Sequence, residues 1–279
     1  MCELLGMNAN VPTDIRFSFA GFALRGGAVR PNADGWGIAF YDGAAVRTFH
    51  DPLQCAASDL AQFIRTCPIR SSHVIAHVRR ANRGRVALAN THPFTRELWG
   101  RVWTFAHNGQ LRGVKKRPLG RFAPIGTTDS EHAFCWLMNQ LAVRWTRMPP
   151  ARDLDAEMRR LFADLGTLGV FNVLVSDGRS LYAHCGNHLS YVTRQAPFGP
   201  ATLADDNLTV DFSQETTPDD VVTVVATRPL TRDEHWTQLD RQQTLILRDG
   251  RPVDVPVAAA RRSLRPRPPS PVPAEWLSA

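Results

Sequence analysis

Short apolar stretches separated by turn residues recur along most of the chain. Three Asp-Gly pairs, Asp42-Gly43, Asp177-Gly178 and Asp249-Gly250, each fall between strand-like segments: GIAFY and AVRTF, FNVLVS and SLYAH, TLILR and PVDV. Both residues of such a pair tolerate positive φ, so each predicts a hairpin. Further strands are expected at His73–Val78, Arg101–Ala106 and Val221–Ala226; the last, VVTVVA, predicts burial on both faces. Helices are fewer. One is expected at Ser58–Thr66. A second, Asp129–Arg144, sets Ala133, Phe134, Leu137, Leu141 and Ala142 on one stripe behind Thr128-Asp-Ser-Glu131, the pattern of a capping box. A third, Arg152–Leu165, lines up Leu154, Met158, Leu161, Phe162 and Leu165 and is expected to stop at Gly166. Antiparallel hairpins with helices between them predict an α+β fold, with helices covering stacked sheets.

With 279 residues, 43% of them hydrophobic, the chain can bury a substantial core. No apolar run is long enough to cross a membrane, and the start lacks a signal-peptide pattern, so a cytoplasmic protein without a membrane partner is expected. The five cysteines (Cys2, Cys55, Cys67, Cys135, Cys185) are odd in number and scattered, which argues against a disulfide framework or a cysteine zinc site. The net charge of +7 is confined to two places. Between Gln110 and Phe122 stand Arg112, Lys115, Lys116, Arg117 and Arg121 without an acid; from Val257 onward stand Arg261, Arg262, Arg265 and Arg267 against Glu275. Charge held in one loop and one proline-rich tail, without interleaved aromatics, gives no reason to expect nucleic-acid binding. The expected organisation is one domain over 1–255 and a basic, disordered tail over 256–279.

Four elements could carry chemistry. Cys2 becomes the first residue if Met1 is removed, and its α-amine could then take the proton of its own thiol. The segment His77–Gly84, HVRRANRG, offers guanidinium groups that grip carboxylates in bidentate fashion, or else a solvated basic loop. His107-Asn108-Gly109 follows a strand; an Asn side chain and a Gly N–H there could face a developing oxyanion, or make a plain turn. Asp129 opens a helix, where the macrodipole favours an anion, and could also receive a substrate ammonium. A thiol, a carboxylate clamp, an oxyanion pair and an ammonium acceptor together describe a site for the side-chain amide of a free amino acid.

Cys2, VRRANRG, His107-Asn108-Gly109 and TDSE, in this order, resemble the class II, N-terminal-nucleophile (Ntn) glutamine amidotransferases. MCELLGMNANVPTDI, DGWGIAFYDG, ANTHPF, RELWG, AHNGQL and PFGPATL are similar to the stand-alone YafJ-type members, and to the γ-glutamyl hydrolase of ergothioneine biosynthesis. The resemblance covers about residues 1–250. It implies the four-layer αββα Ntn sandwich, Cys2 as nucleophile with its α-amine as base, and Asn108 with the Gly109 N–H as oxyanion hole. It further implies Arg79 and Asn82 on the substrate carboxylate side and Asp129 on the α-ammonium, with no metal or organic cofactor. Many members carry Thr-His where this chain has Asn82-Arg83. Synthases of the family have a further ammonia-consuming domain, for which the sequence after residue 250 offers no candidate; an ammonia-accepting partner enzyme could take its place.

The expected activity is cleavage of glutamine, or of a γ-glutamyl amide, through a Cys2 thioester. Two alternatives stand beside it: a hydrolase of a larger γ-glutamyl compound, whose anionic leaving group Lys115, Lys116 and Arg117 could read, and a non-catalytic partner-binding protein that keeps the fold. A metal site of His73, His77, His92 and His107 is disfavoured, since His73 and His77 on one strand stand roughly 13 Å apart.

Overall fold

The computed structural model describes residues 2–81, 85–213 and 217–253. Asn82, Arg83 and the tail from 256, with its expected boundary, lie outside the described residues. In chain order the elements are β1 (Glu3–Asp14), α1 (Arg16–Leu24), β2 (Trp36–Asp42), β3 (Ala45–Asp51), α2 (Asp59–Thr66), β4 (Arg70–Val78), β5 (Phe94–Leu98), β6 (Arg101–Leu111), α3 (Asp129–Arg144) and α4 (Ala151–Gly166). They continue with β7 (Gly169–Ser176), β8 (Leu181–His184), β9 (Ser190–Gln195), β10 (Pro200–Thr202), β11 (Thr209–Asp211), β12 (Val221–Ala226), β13 (Thr237–Gln238), β14 (Thr244–Arg248) and β15 (Arg251–Pro252). One sheet has the order β13-β9-β12-β1-β4-β2-β3 and a second the order β15-β14-β8-β7-β6-β5, while β10 and β11 form a separate hairpin.

Strand alternation explains the layering. Leu5, Met7, Ala9, Val74, Ala76, Val222 and Val224 point from the first sheet to Phe19 and Phe22 of α1 and to Ala61 and Ile64 of α2. Leu4, Ile75 and Val225 point the other way, to Ala106, Leu174, Ala183 and Leu245 of the second sheet. The far face of that sheet sets Trp103, Phe105, Val173 and Tyr182 against Phe134, Leu137, Met158 and Phe162 of α3 and α4. The order of layers is therefore α, β, β, α, the sandwich the sequence led us to expect. VVTVVA, all of it buried in β12, lies in the middle of the first sheet.

Local details refine several expectations. Only Asp249-Gly250 is a two-residue turn with both φ values positive, 47° and 75°. Asp42 instead pairs with Ala45, leaving Gly43-Ala44 as the loop, and Ser176 pairs with Leu181 around a four-residue loop. Ser58 and Thr128 both cap their helices, accepting from the amides of Ala61 and Glu131. Glu131 does not close the expected box: its carboxylate accepts from the Ile125 and Gly126 amides and from Arg96 (3.0, 2.7 and 2.7 Å). α1 is a helix that sequence pattern misses. Its RFSFAGFAL has no side-chain cap, an interior glycine and buried residues on most sides, so no polar face marks it. Gly21 packs directly under Leu203, whose Cδ2 would lie 2.9 Å from a Cβ at this position.

Phe134 is fully buried and stacks on Phe105 at 4.9 Å, whereas Val143 on the same helix is 87% exposed. Phe134→Ala is expected to cost about 3–5 kcal/mol, and Val143→Ala less than about 0.5 kcal/mol. Urea unfolding of the two variants beside the parent chain measures both.

Candidate active site

Strand register decides where Cys2 sits. β1 pairs antiparallel with β4 from Glu3↔Val78, so the residue before β1 lies beside the residues after β4. The Cys2 thiol accepts from the Arg80 amide (3.2 Å) and faces the Arg80 carbonyl at 3.4 Å. Burial pushes this thiol above its ordinary pKa, while the Arg80 amide and the Arg79 charge pull the other way.

Arg79 is only 4% exposed and has no carboxylate partner among the described residues. Its Nη1 donates to the carbonyls of Asp34 (3.2 Å) and Arg85 (3.4 Å). The Asp34-Gly35 turn holds this segment in place, through Arg79 N to Gly35 O (2.8 Å) and Ala81 N to the Asp34 carboxylate (2.8 Å). Asn90, which reads as part of a plain turn in sequence, has a structural task. It donates to Arg85 O (3.0 Å) and accepts from Thr127 N (2.8 Å), tying the arginine segment to the approach of α3. Neither Asp34 nor Asn90 carries a sequence signal for this, because each acts on backbone remote in the chain.

The other half of the site comes from the second sheet. His107-Asn108-Gly109 is neither a turn nor a strand end: β6 runs through it, pairing the three with Val173, Asn172 and Phe171. Asn108 Nδ2 crosses to donate to the Cys2 carbonyl at 2.5 Å. Gly109 is glycine because a Cβ would overlap the Val170 carbonyl on the neighbouring strand. Asn172, opposite Asn108, donates to the Asn108 carbonyl (3.1 Å) and accepts from the amides of Gly186, Asn187 and His188 (3.0, 3.1 and 3.3 Å). Asp129, at the start of α3, accepts from the amides of Leu111 (2.8 Å) and Ser130 (3.0 Å). The same helix turn is fixed by a 2.8 Å hydrogen bond between His107 Nδ1 and Ser130 Oγ.

Cys2, Arg79, Asn108, Gly109 and Asp129 thus line one cavity of about 220 Å³. Its size suits an amino acid better than a larger ligand. The basic residues between Arg112 and Arg121 do not reach it: Lys115 donates to Thr127 O (2.6 Å), Arg117 grips Asp164 (2.7 Å), and Arg121 faces Glu97 (3.6 Å). Lys115 and Arg117, two of the three residues expected as readers of a leaving group, are thus engaged elsewhere. His92, in the cavity lining, and His77 lie with ring centres 4.3 Å apart. Burial pushes His77 down to about 3 and His92 well below its ordinary value; it also lowers His107, against the Asp129 carboxylate. His77 and His92 are accordingly neutral at pH 7. His73 turns away to Asn8 and Ser72 (2.7 and 3.1 Å). A larger cleft of about 790 Å³ lies beside α1 and the β10–β11 hairpin, but its described lining includes no cysteine or histidine, and Glu234 already occupies its Arg194.

Residues 1–270 match the family model described as class-II glutamine amidotransferases. The chain belongs to that family. Among amidotransferase relatives, the Escherichia coli (strain K12) protein YafJ, which carries a glutamine amidotransferase name, is 55% identical over 240 residues, 86% of this chain and 94% of its own length. A Haemophilus influenzae protein with a glutamine amidotransferase name is 42% identical over 250 residues, covering 90% and 85% of the two chains. The crystal structure of a predicted glutamine amidotransferase from Pseudomonas aeruginosa PA01 superposes with a TM-score of 0.74 at 47% identity, over 91% of this chain and all of that one. The glutamine phosphoribosylpyrophosphate amidotransferase of Bacillus subtilis, at 14% identity and TM-score 0.55, covers 89% of this chain and 47% of its own, and shares the fold. No helix among the described residues is long and apolar enough to cross a membrane.

The Cys2 environment can be measured directly. With Met1 retained, alkylation of Cys2 by iodoacetamide, followed by peptide-resolved mass spectrometry, is expected to accelerate with pH around a midpoint above that of a simple thiol, since only the thiolate reacts. Arg79→Gln removes a charge that favours the thiolate and should move the midpoint higher still. A midpoint that stays put or falls in that variant contradicts the assigned electrostatics.

Proposed function

We propose that this amidotransferase-family chain is an amidohydrolase that cleaves the side-chain amide of glutamine or of a γ-glutamyl amide, with Cys2 as nucleophile. The observation that carries this reading is one small cavity walled by a thiol, an uncompensated guanidinium and a carboxylate. A buried charge without a partner is costly, so Arg79 calls for an anion from the ligand. The α-carboxylate of a glutamyl group supplies it. Asp129, at the same cavity, meets the α-ammonium, and the two charges aim the δ-carbonyl at Cys2.

Removal of Met1 turns the Cys2 nitrogen from an amide into an amine, with an ordinary pKa near 8, that can accept the thiol proton. This offsets the burial that otherwise keeps the thiol protonated. Sγ attacks the amide carbon, and the oxyanion falls to Asn108 Nδ2 and the Gly109 N–H, worth roughly 3 kcal/mol per donor. Asn108 already spans the two sheets to the Cys2 carbonyl, so its amide is held in position before substrate arrives. The amine leaves with the proton, water cleaves the thioester, and ammonia released from glutamine is available to a partner enzyme.

Larger γ-glutamyl compounds fit the same glutamyl contacts. One relative, the γ-glutamyl-hercynylcysteine sulfoxide hydrolase of Mycobacterium tuberculosis, is 38% identical over 80 residues, 28% of this chain and 32% of its own. A non-catalytic protein would have no need of a thiol, a guanidinium without an acidic partner among the described residues, and an amide donor in one cavity.

Steady-state hydrolysis of glutamine and of several γ-glutamyl amides tests the reading. Cys2→Ser should remove turnover without unfolding the chain. Asn108→Ala should lower kcat by about 10²–10³-fold. An uncleavable N-terminal extension should inactivate by converting the base to an amide, and full activity in that form would remove the amine from the mechanism.

A further inference from the structure

A second chamber, of about 190 Å³, also opens onto Cys2. Its walls include Arg30, Arg80, His188, Thr227 and Arg228. Among the described residues the two cavities share Cys2 and Arg80, so Cys2 stands at their junction. The loop that carries His188 is held by Asn172, the residue that also fixes the Asn108 backbone, so both cavities are tied to the same β6–β7 pairing.

The second chamber is strongly cationic. Arg30, Arg80 and Arg228 have no acidic partner among the described residues. The one carboxylate among the described residues of its wall, Glu3, is taken by Arg25 at 2.9 Å. Arg25 is in turn occupied by Asp205 (2.5 Å) and by the Arg228 and Pro229 carbonyls (3.0 and 2.6 Å). Arg30 is half-buried and Arg80 and Arg228 are exposed, so the chamber is open to solvent; with the local acid already spent, their guanidinium groups offer an entering anion charge-assisted hydrogen bonds.

Ammonia is neutral and small and gains nothing from this arrangement. A glutamyl group bound by Arg79 and Asp129 fills the first cavity with its amino-acid end. The substituent on the amide nitrogen lies on the far side of the carbonyl carbon, and the junction at Cys2 leads it into the second chamber. Resting on the glutamyl-binding reading above, we propose that this chamber receives the leaving half of the substrate, and that the leaving amine carries an acidic group. The preferred substrates are γ-glutamyl amides of an amino acid or of another amine bearing a carboxylate, sulfonate or phosphate. The bonds balance as a hydrolysis: Sγ–C forms and C–N breaks, the thiol proton departs on the amine, and one water splits the thioester to glutamate and free thiol.

The test compares kcat/KM for γ-glutamylglycine, its neutral counterpart γ-glutamylglycinamide, and glutamine, using the full chain with Met1 removed. A charge-assisted contact to the carboxylate should favour γ-glutamylglycine over the glycinamide by about tenfold or more. That ratio should fall with added salt and collapse toward one in the double variant Arg30→Gln, Arg228→Gln. Because both substrates are assayed on one preparation, the ratio does not depend on the fraction that folds. A ratio near one in the parent chain, or one unchanged in the double variant, overturns the leaving-group assignment alone. No turnover of any of the three compounds overturns the amidohydrolase reading, and this assignment with it.

Discussion

The antiparallel pairing of β1 with β4, starting at Glu3↔Val78, is the constraint on which the rest depends. Both strands lie inside the seven-stranded sheet and are buried on both faces, with Leu5 and Met7 on the helix side and Leu4 on the side of the second sheet. A slip of one residue would exchange the two faces along the whole strand, so packing over the full length of β1 locks the register. The same lock sets Cys2 beside Arg79 and Arg80. The position of a thiol at the edge of the fold is thus enforced by apolar contacts several residues away.

Against that frame of packed strands, the distribution of charge is selective. Elsewhere Arg25 is matched by Glu3 and Asp205, and Arg248 by Asp155. Near Cys2, Arg79 is buried without an acidic partner among the described residues, and Arg30, Arg80 and Arg228 likewise have none there. The histidines that could have complicated the balance are held neutral by burial. The first cavity therefore carries the positive charge of Arg79 and the negative charge of Asp129 in one lining. A zwitterionic amino-acid end oriented between them matches that pair.

Several residues that hold the site together act through the backbone of distant segments. Asp34 secures the Arg79–Ala81 segment, Asn90 links that segment to Thr127, and Asn172 joins Asn108 to the loop at His188. Glu131 likewise serves the Ile125 and Gly126 amides rather than its own helix start. Short polar side chains of this kind satisfy buried peptide groups where neither helix nor sheet can.

The residue pattern by itself determined the class of fold and the chemistry-bearing residues. Apolar alternation, Asp-Gly turns and two capped helices specify stacked antiparallel sheets with helical cover, because those signals are local and short in range. Cys2, Arg79, Asn108, Gly109 and Asp129 were legible as candidates through their motifs. α1 was not legible, because its stability comes from burial on most sides and not from a cap or a polar face. Nor was the course of β6 through His107-Asn108-Gly109, since a glycine required by a neighbouring strand looks in sequence like a glycine required by a turn. Only the tertiary structure decided which cations face the thiol. Of the clustered basic residues, Lys115 and Arg117 are drawn to other partners, whereas Arg30, Arg80 and Arg228, scattered over two hundred positions, line one chamber with Cys2. Charge acts through space, and distance along the chain carries no information about distance in space once strands from opposite ends of the sequence pair.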